Sequence, residues 1–202
     1  MGFTLKQFEQ IKERLGGARR VAEPLLESSV QTNGAQHEVI LGIDPSLRGT
    51  GYGILRVARP HPRALAFGVV HCPAGWERSR CLVRIAQTLR EAIQQHRPSV
   101  CAIEGLFFAQ NLQTALLLGE ARGVSLLAAA EAGLQIFEMA PRKVKQATVG
   151  YGGAGKEAVA KMVQRMLRLP ELPQADAADA LALALAFGQE RGRYSLTPLK
   201  RL

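Results

Sequence analysis

The sequence predicts an α/β fold built on a mixed five-stranded sheet, and three observations lead to that prediction. Two continuous apolar runs, at 39–43 and 100–103, are typical of strands buried on both faces. Three short strands follow one another early in the chain, and strands then alternate with helices. This order predicts an antiparallel edge followed by parallel strands, with helices on the flanks.

The individual elements follow from local patterns. A Pro60-His61-Pro62 turn joins the second and third strands, and the first helix has apolar residues at helical spacing. In chain order we predict strands at 39–43, 51–58 and 64–71, a helix at 77–96, a strand at 100–103, a helix at 111–132, a strand at 134–138, and helices at 141–148, 156–168 and 175–189. Together they outline a ribonuclease H-like domain.

Composition narrows the class of protein. The 202 residues are 47% apolar, which is enough to bury a core, and no apolar run approaches the roughly 18 residues that a membrane span needs. The net charge of +9 favours a polyanionic partner. The three scattered cysteines suit reduced core thiols in a cytoplasmic protein, and the four histidines show no metal-ligand spacing.

Aspartate is nearly absent, so the positions that keep it are informative. The acids are 14 Glu and three Asp, at Asp44, Asp176 and Asp179. Asp44 and Glu104 each end a buried strand, where an open α/β sheet binds its ligands. Asp176 and Asp179 lie three residues apart at a predicted helix start and therefore share one helix face. We expect the four carboxylates to converge.

Each acid also has a plainer interpretation. Asp176 and Asp179 would complement a helix dipole, Asp44 before proline would form an Asx turn, and Glu104 would be a strand end that meets solvent. The presence of all three aspartates in these positions favours a shared site.

Converging carboxylates repel one another unless cations lie between them. An all-oxygen ligand set fits Mg²⁺ or Mn²⁺, and two such ions would catalyse in-line displacement at a phosphodiester. No Ser, Cys or His is placed with these acids as a catalytic triad, so no side-chain nucleophile is expected.

Positive charge is concentrated between positions 142 and 168. The cations there are Arg142, Lys143, Lys145, Lys156, Lys161, Arg165 and Arg168, against Glu157 alone. Lys145 and Lys156 flank a glycine-rich stretch, GYGGAG at 150–155, which favours contact with phosphates. Lys161, Arg165 and Arg168 fit a solvated helix face. Arg142, Lys143 and Asn111 are further candidate DNA contacts.

Phe107 and Phe108 follow Glu104 in a predicted loop. An aromatic side chain beside a metal site can stack on an unpaired base, and the alternative is that one of the two lies in the core. We expect Phe107 to be the exposed one.

Five segments resemble the RuvC family of Holliday-junction resolvases and span about 150 residues. They are GIDPSLRGTGYG at 42–53, AIEGLFFAQN at 102–111, ARGV at 121–124, RKVKQATVGYGGAGK at 142–156 and PQADAADALALA at 173–184. The resemblance implies that Asp44, Glu104, Asp176 and Asp179 are metal-binding catalytic acids, that Phe107 stacks on a base, and that Lys145 and Lys156 contact phosphates.

The resemblance also implies an activity and partners. The family nicks two like-polarity strands of a four-way junction, leaving 5′-phosphate and 3′-hydroxyl ends, as a homodimer that works with RuvA and RuvB in recombination and repair. The small-residue helix at 111–132 is a candidate dimer face, and packing on the sheet is the alternative. Ser46-Leu47 departs from the family's Gly-Ser, which puts the shape of the first turn in question.

The ends of the chain are expected to differ from the nuclease domain at 39–190. Residues 1–38 carry five basic residues and five glutamates, so all of the net charge belongs to 39–202. We expect 1–38 to be a disordered extension or the product of a start assigned too far upstream, and 191–202 to be a basic tail.

Two rival functions remain at this stage. An actin-like phosphotransferase would need two such domains and about twice the length. A non-catalytic junction-binding module would keep the fold and the basic surface without needing the four acids.

Overall fold

Helices cover both faces of one mixed sheet. The computed structural model describes residues 39–58, 60–105, 111–191 and 199–202, so the predicted extension at 1–38 lies outside the described residues. The strands are β1 (Val39–Asp44), β2 (Gly49–Arg56), β3 (Arg63–His71), β4 (Val100–Glu104), β5 (Gln135–Met139) and β6 (Lys200–Arg201). The helices are α1 (Arg78–His96), α2 (Leu112–Glu131), α3 (Pro141–Val149), α4 (Lys156–Leu167) and α5 (Ala175–Arg191).

The sheet order is β3-β2-β1-β4-β5-β6. Strands β1, β2 and β3 form an antiparallel meander, and β4 and β5 continue the sheet parallel to β1, which confirms the predicted arrangement. The predicted count of five strands is wrong, because Lys200–Arg201 pairs antiparallel to β5. This strand lies in the segment predicted as a basic tail. Two exposed cations carry no apolar periodicity from which a strand could be recognised.

Side-chain alternation along the central strands assigns residues to two cores. Ile40 of β1 packs with α3, α4 and α5, whereas Leu41 and Ile43 pack with α1 and α2. Since alternate residues of a strand share a face, Asp44 lies on the α5 face of the sheet. The same alternation in β4 places Glu104 on that face. Both strand-end carboxylates therefore face α5.

Glycines let α5 lie directly on the sheet. A methyl group at Gly51 would overlap the carbonyl of Asp176, and one at Gly42 would overlap the carbonyl of Ala180. At Gly53 the added carbon would lie 2.8 Å from the side chain of Leu181. The absence of side chains at these positions brings the first turn of α5 against the ends of β1 and β2.

Within the described residues, helix α2 packs on the sheet and on α1 through one face. Ala121, Ala128 and Ala129 are buried against the sheet and α1. Leu112 and Leu116, on another part of the helix surface, are 77% and 58% exposed. None of the helices in the described ranges is long and apolar enough to cross a membrane.

Candidate metal centre and nucleic-acid interface

The structure brings all four predicted acids to one edge of the sheet. Asp44 and Glu104 end neighbouring parallel strands, whose preceding residues Ile43 and Ile103 are register partners. A hydrogen bond joins the two carboxyls. Asp176 and Asp179 reach the same point from the first turns of α5, and Asp44, Asp176 and Asp179 each offer an oxygen within 4.8 Å of the others. The arrangement is a cluster of half-buried carboxylates.

The protonation of Asp44 reflects this crowding. Burial, followed by the charge and hydrogen bond of Glu104 and the charge of Asp179, raises the pKa of Asp44 to about 8, while Lys156 opposes the shift. Without a cation among the acids, Asp44 therefore keeps its proton at neutral pH. A bound cation would reverse this preference, because it favours the ionised form.

Lys156 lies over the outer two carboxylates. Its Nζ is 3.2 Å from Asp176 Oδ1 and 3.4 Å from Asp179 Oδ2. Burial raises the pKa of Asp179, against the opposing charges of Lys156 and Lys145. Partial burial lowers the pKa of Lys156, but the hydrogen bonds and charges of Asp176 and Asp179 outweigh this and raise it overall. The cluster attracts positive charge.

The donor set fits a hard divalent cation. The contributing atoms are carboxylate oxygens, the ligand type that Mg²⁺ and Mn²⁺ prefer. The raised pKa of Asp44 and the ammonium group of Lys156 both indicate excess negative potential at this point.

The first turn is closed by a buried threonine. Thr50 is fully buried, its Oγ1 donates to the carbonyl of Ser46 at 2.5 Å, and the Ser46 N–H donates to Oγ1 at 3.2 Å. Leu47 is 7% exposed and joins the core on the α1 face. The Ser46-Leu47 departure is thus accommodated by an inward-facing leucine, and Asp44 keeps its place at the strand end.

The structure ties the predicted DNA contacts to the cluster to different degrees. Lys145, on α3, is close enough for its charge to lower the pKa of Asp179. Exposed Lys143 shares that helix, and the Arg142 side chain lies against Gly152 in the glycine-rich turn. Asn111 begins α2, where its Oδ1 accepts a hydrogen bond from Thr114 N at 2.8 Å. Phe107 lies outside the described residues.

Sequence reasoning missed a buried arginine behind the cluster. Arg122, on α2, is 7% exposed, donates to the backbone carbonyl of Glu104, and forms an ion pair with Glu138 at 2.5 Å. Lys200 of β6 pairs with the same Glu138 at 2.9 Å. This network holds the backbone at the end of β4. The signal in the sequence was a lone cation within an apolar helix.

Comparison with known proteins agrees with this geometry. A protein-family model described as crossover junction endodeoxyribonuclease RuvC matches residues 40–187. The chain belongs to the RuvC family. The match spans all four acids and ends within α5, and residues 1–38 precede it.

Individual members of the RuvC family are similar over most of the chain. The crossover junction endodeoxyribonuclease RuvC of Chromohalobacter salexigens is 45% identical over 160 residues, covering 79% of this chain and 86% of that protein. The protein of the same name from Heliobacterium modesticaldum is 49% identical over 148 residues, covering 73% of this chain and 91% of that protein.

Solved structures agree with the fold. RuvC of T. thermophilus, in complex with a Holliday junction substrate, superposes with a TM-score of 0.73 at 36% identity, covering 82% of this chain and all of that one. The yeast mitochondrial Holliday junction resolvase Ydc2, at 11% identity, has a TM-score of 0.57 over 77% of this chain and 80% of its own. At that identity the similarity supports the ribonuclease H-like fold alone.

Proposed function

We propose that this chain is a structure-specific DNA endonuclease that resolves four-way Holliday junctions by paired nicks in strands of like polarity. The observation that carries the proposal is the convergence of Asp44, Glu104, Asp176 and Asp179 at one edge of the sheet in a RuvC-family chain. The products would carry 5′-phosphate and 3′-hydroxyl ends. This activity belongs to homologous recombination and DNA repair.

The four acids would hold Mg²⁺ or Mn²⁺, with two ions in each site. When bound, the ions supply a hydroxide nucleophile and neutralise the charge that develops on the phosphate. Asp44 must first release the proton that burial and Glu104 hold on it. Asp176 and Asp179, at the rim, keep part of the cluster open to a DNA strand, since their side chains are 37% and 21% exposed.

Cations beside the acids would orient the phosphate backbone. Lys156 already lies between Asp176 and Asp179, so a short side-chain movement would transfer its ammonium group to a phosphate. The charge of Lys145 also acts on Asp179. We assign Arg142, Lys143 and Asn111 to flanking DNA contacts, and Phe107, three residues after Glu104, to stacking on an unpaired base.

A homodimer would match the two-fold symmetry of a four-way junction. The exposed part of α2 is the surface that we propose for it. An added carbon at Gly119 or Gly123 would meet nothing within 4 Å, so these glycines leave the helix open to close approach by a second copy. Leu112 and Leu116 provide exposed apolar area on the same helix.

The cellular setting follows from the proposed activity. The three cysteines are free and buried, which suits the reducing cytoplasm. RuvA and RuvB, the branch-migration proteins implied by the family, are the expected protein partners.

The test is cleavage of a synthetic four-way junction, compared with a linear duplex, in Mg²⁺ or Mn²⁺. We expect the junction alone to be nicked. Asp44→Asn, Glu104→Gln and Asp179→Asn should each lower the cleavage rate by more than about a hundredfold. Loss of a metal ligand should reduce activity at least as much as loss of a residue that orients the ligands. Junction affinity in EDTA should change little, since the lysines remain.

Glu91→Gln is the matched control, because Glu91 is an exposed acid on α1. It should cleave at the unmodified rate. If the unmodified chain binds junctions but cleaves none with either metal, it is a non-catalytic junction-binding module and the proposal is wrong.

A further inference from the structure

A second cleft lies at the end of the sheet opposite the carboxylates. It has a volume of about 720 Å³ and is formed by the β2–β3 hairpin and by the residues that end α4. In the register of β1 with β2, Gly51 lies beside Asp44, whereas Arg56 lies beside Val39 at the far end. Five residue spacings of about 3.3 Å therefore separate Gly51 from Arg56, roughly 17 Å.

Arginines dominate this cleft. Arg56, Arg63 and Arg168 line it, together with His61, and none of its described lining residues carries a carboxylate. We call these four residues the arginine cleft. Arg168 donates to His61 Nε2 at 2.7 Å, because a guanidinium has no acceptor. The three arginines thus line one cleft, and no described lining residue supplies a carboxylate to balance them.

Two features of the backbone bring the arginines together, and both are energetically unfavourable. Arg56 and Arg63 are direct partners across the β2–β3 pair, where like charges destabilise a sheet. Arg168 ends α4 in the left-handed conformation with φ of 52°, a position where glycine is usual. Both features are unfavourable in an isolated chain. An anion held between the guanidinium groups would offset the repulsion between them.

Another cleft follows the arginine cleft along β3 and along the segment between α4 and α5. This neighbouring cleft, of about 410 Å³, is lined by Phe67 and His71 of β3 and by residues 170–174 before α5. Gln174 lies two residues before Asp176 in the chain, and its Oε1 is 3.1 Å from His71 Nε2. Successive parts of the same two segments therefore line both clefts, and Glu171 is the carboxylate among the described lining residues of the neighbouring one.

We propose that the arginine cleft binds a backbone phosphate of a junction arm, about five to seven base pairs from the cleaved bond. The distance follows from the roughly 17 Å between Gly51 and Arg56, extended by the side chains to about 20 Å and divided by the DNA rise of about 3.4 Å per base pair. Phosphate is the ligand class because guanidinium groups bind its oxygens in pairs. The proposal rests on the proposed junction-binding function.

The experiment measures equilibrium affinity for a fluorescent four-way junction in EDTA, so that no cleavage occurs. The full-length chain is compared with a double variant, Arg63→Ala plus Arg168→Ala. We expect an affinity loss of about three- to tenfold. The slope of log affinity against log salt concentration should also be shallower by about one unit, which corresponds to one lost phosphate contact. Arg165→Ala, an exposed cation on α4 outside the cleft, is the matched control and should have a smaller effect.

A second junction carries neutral methylphosphonate linkages about four to eight base pairs from the crossover in every arm. On this junction the double variant and the unmodified chain should bind equally, because the phosphate contact is already lost. An equal loss on both junctions, or a loss no larger than that of Arg165→Ala, would show general electrostatics and overturn the proposal.

Inorganic phosphate distinguishes a free anion from DNA as the ligand. If phosphate at constant ionic strength raises the melting temperature of the unmodified chain but not of the double variant, while both bind junctions equally, the cleft takes a small anion and the proposal is wrong. Failure of the junction-binding function itself would appear separately, as equal affinity of the unmodified chain for junction and linear duplex.

Discussion

The two ends of the sheet carry clusters of opposite charge. At the end where β1 and β4 stop, Asp44 and Glu104 meet the acids of α5, and the pKa of Asp44 rises to about 8. At the other end, Arg56 and Arg63 lie directly opposite each other on paired strands. Each cluster is unfavourable by itself and would be relieved by a ligand of the opposite sign. One small domain thus has an end whose chemistry suits a metal cation and an end whose charge suits a polyanion.

The comparison also shows how differently the ends are built. The acidic end depends on close packing, since glycines let α5 approach the sheet. The arginine cleft depends on exposed side chains around a hairpin. Backbone changes should therefore damage the first, and charge changes should damage the second.

The largest effect is expected from Gly51→Ala. The added methyl group would overlap the Asp176 carbonyl, which is backbone and cannot move without shifting α5. We expect a loss of about 3 kcal/mol in the free energy of unfolding, measured by urea denaturation, together with loss of junction cleavage.

Gly75→Ala is its control, because an added carbon there meets nothing within 4 Å. It should leave stability within about 0.5 kcal/mol of the unmodified chain. Equal stability of the two variants would mean that the free energy of unfolding does not depend on close packing of α5 against Gly51.

A pH dependence of intermediate size should come from Asp44. Its folded pKa of about 8 exceeds the ordinary value of about 3.9, so between these pH values the folded chain binds a proton that the unfolded chain has released. Stability in EDTA should therefore fall as pH rises through this window, and between pH 7 and 8 the loss should be up to about 1.4 kcal/mol, as measured by thermal unfolding. Asp44→Asn should flatten the slope.

Two comparisons sharpen this test. Adding Mg²⁺ at pH 8 should restore stability to the unmodified chain but much less to Asp44→Asn. Arg63→Ala, at the opposite end of the sheet, should leave the slope of stability against pH unchanged. If Arg63→Ala also flattened this slope, the pH dependence would not arise from the acidic end.

The smallest effect is expected from Lys156→Met. Removing the ammonium group leaves Asp176 and Asp179 without their cation, but the pair is partly exposed. We expect a loss of about 0.5–1 kcal/mol in EDTA that Mg²⁺ abolishes, measured by thermal unfolding. Lys161→Met is the control, because in the described part of the chain Lys161 pairs with exposed Glu157, at 2.7 Å, and any loss there should be insensitive to metal. A loss in Lys156→Met that persists in Mg²⁺ would contradict this account.

Much of the candidate site could be predicted from the sequence because its residues end regular elements. The apolar runs that stop at Asp44 and Glu104 identify two strand ends, and the spacing of Asp176 and Asp179 identifies one helix face. Arg122 was missed because its partners lie on other strands, 16 and 18 residues away in the chain. Contacts over such separations leave no periodic pattern.

The element order, the antiparallel and parallel halves of the sheet, and the acids available to meet can all be read from the amino-acid sequence. These follow from local periodicity, which is a property of the sequence before the chain folds. Three features become visible only in the folded chain: α5 lies on glycines against the strand ends, Lys200–Arg201 adds a sixth strand, and Arg56, Arg63 and Arg168 share a cleft. Those features depend on contacts between distant segments, and their energies arise only once the chain has folded.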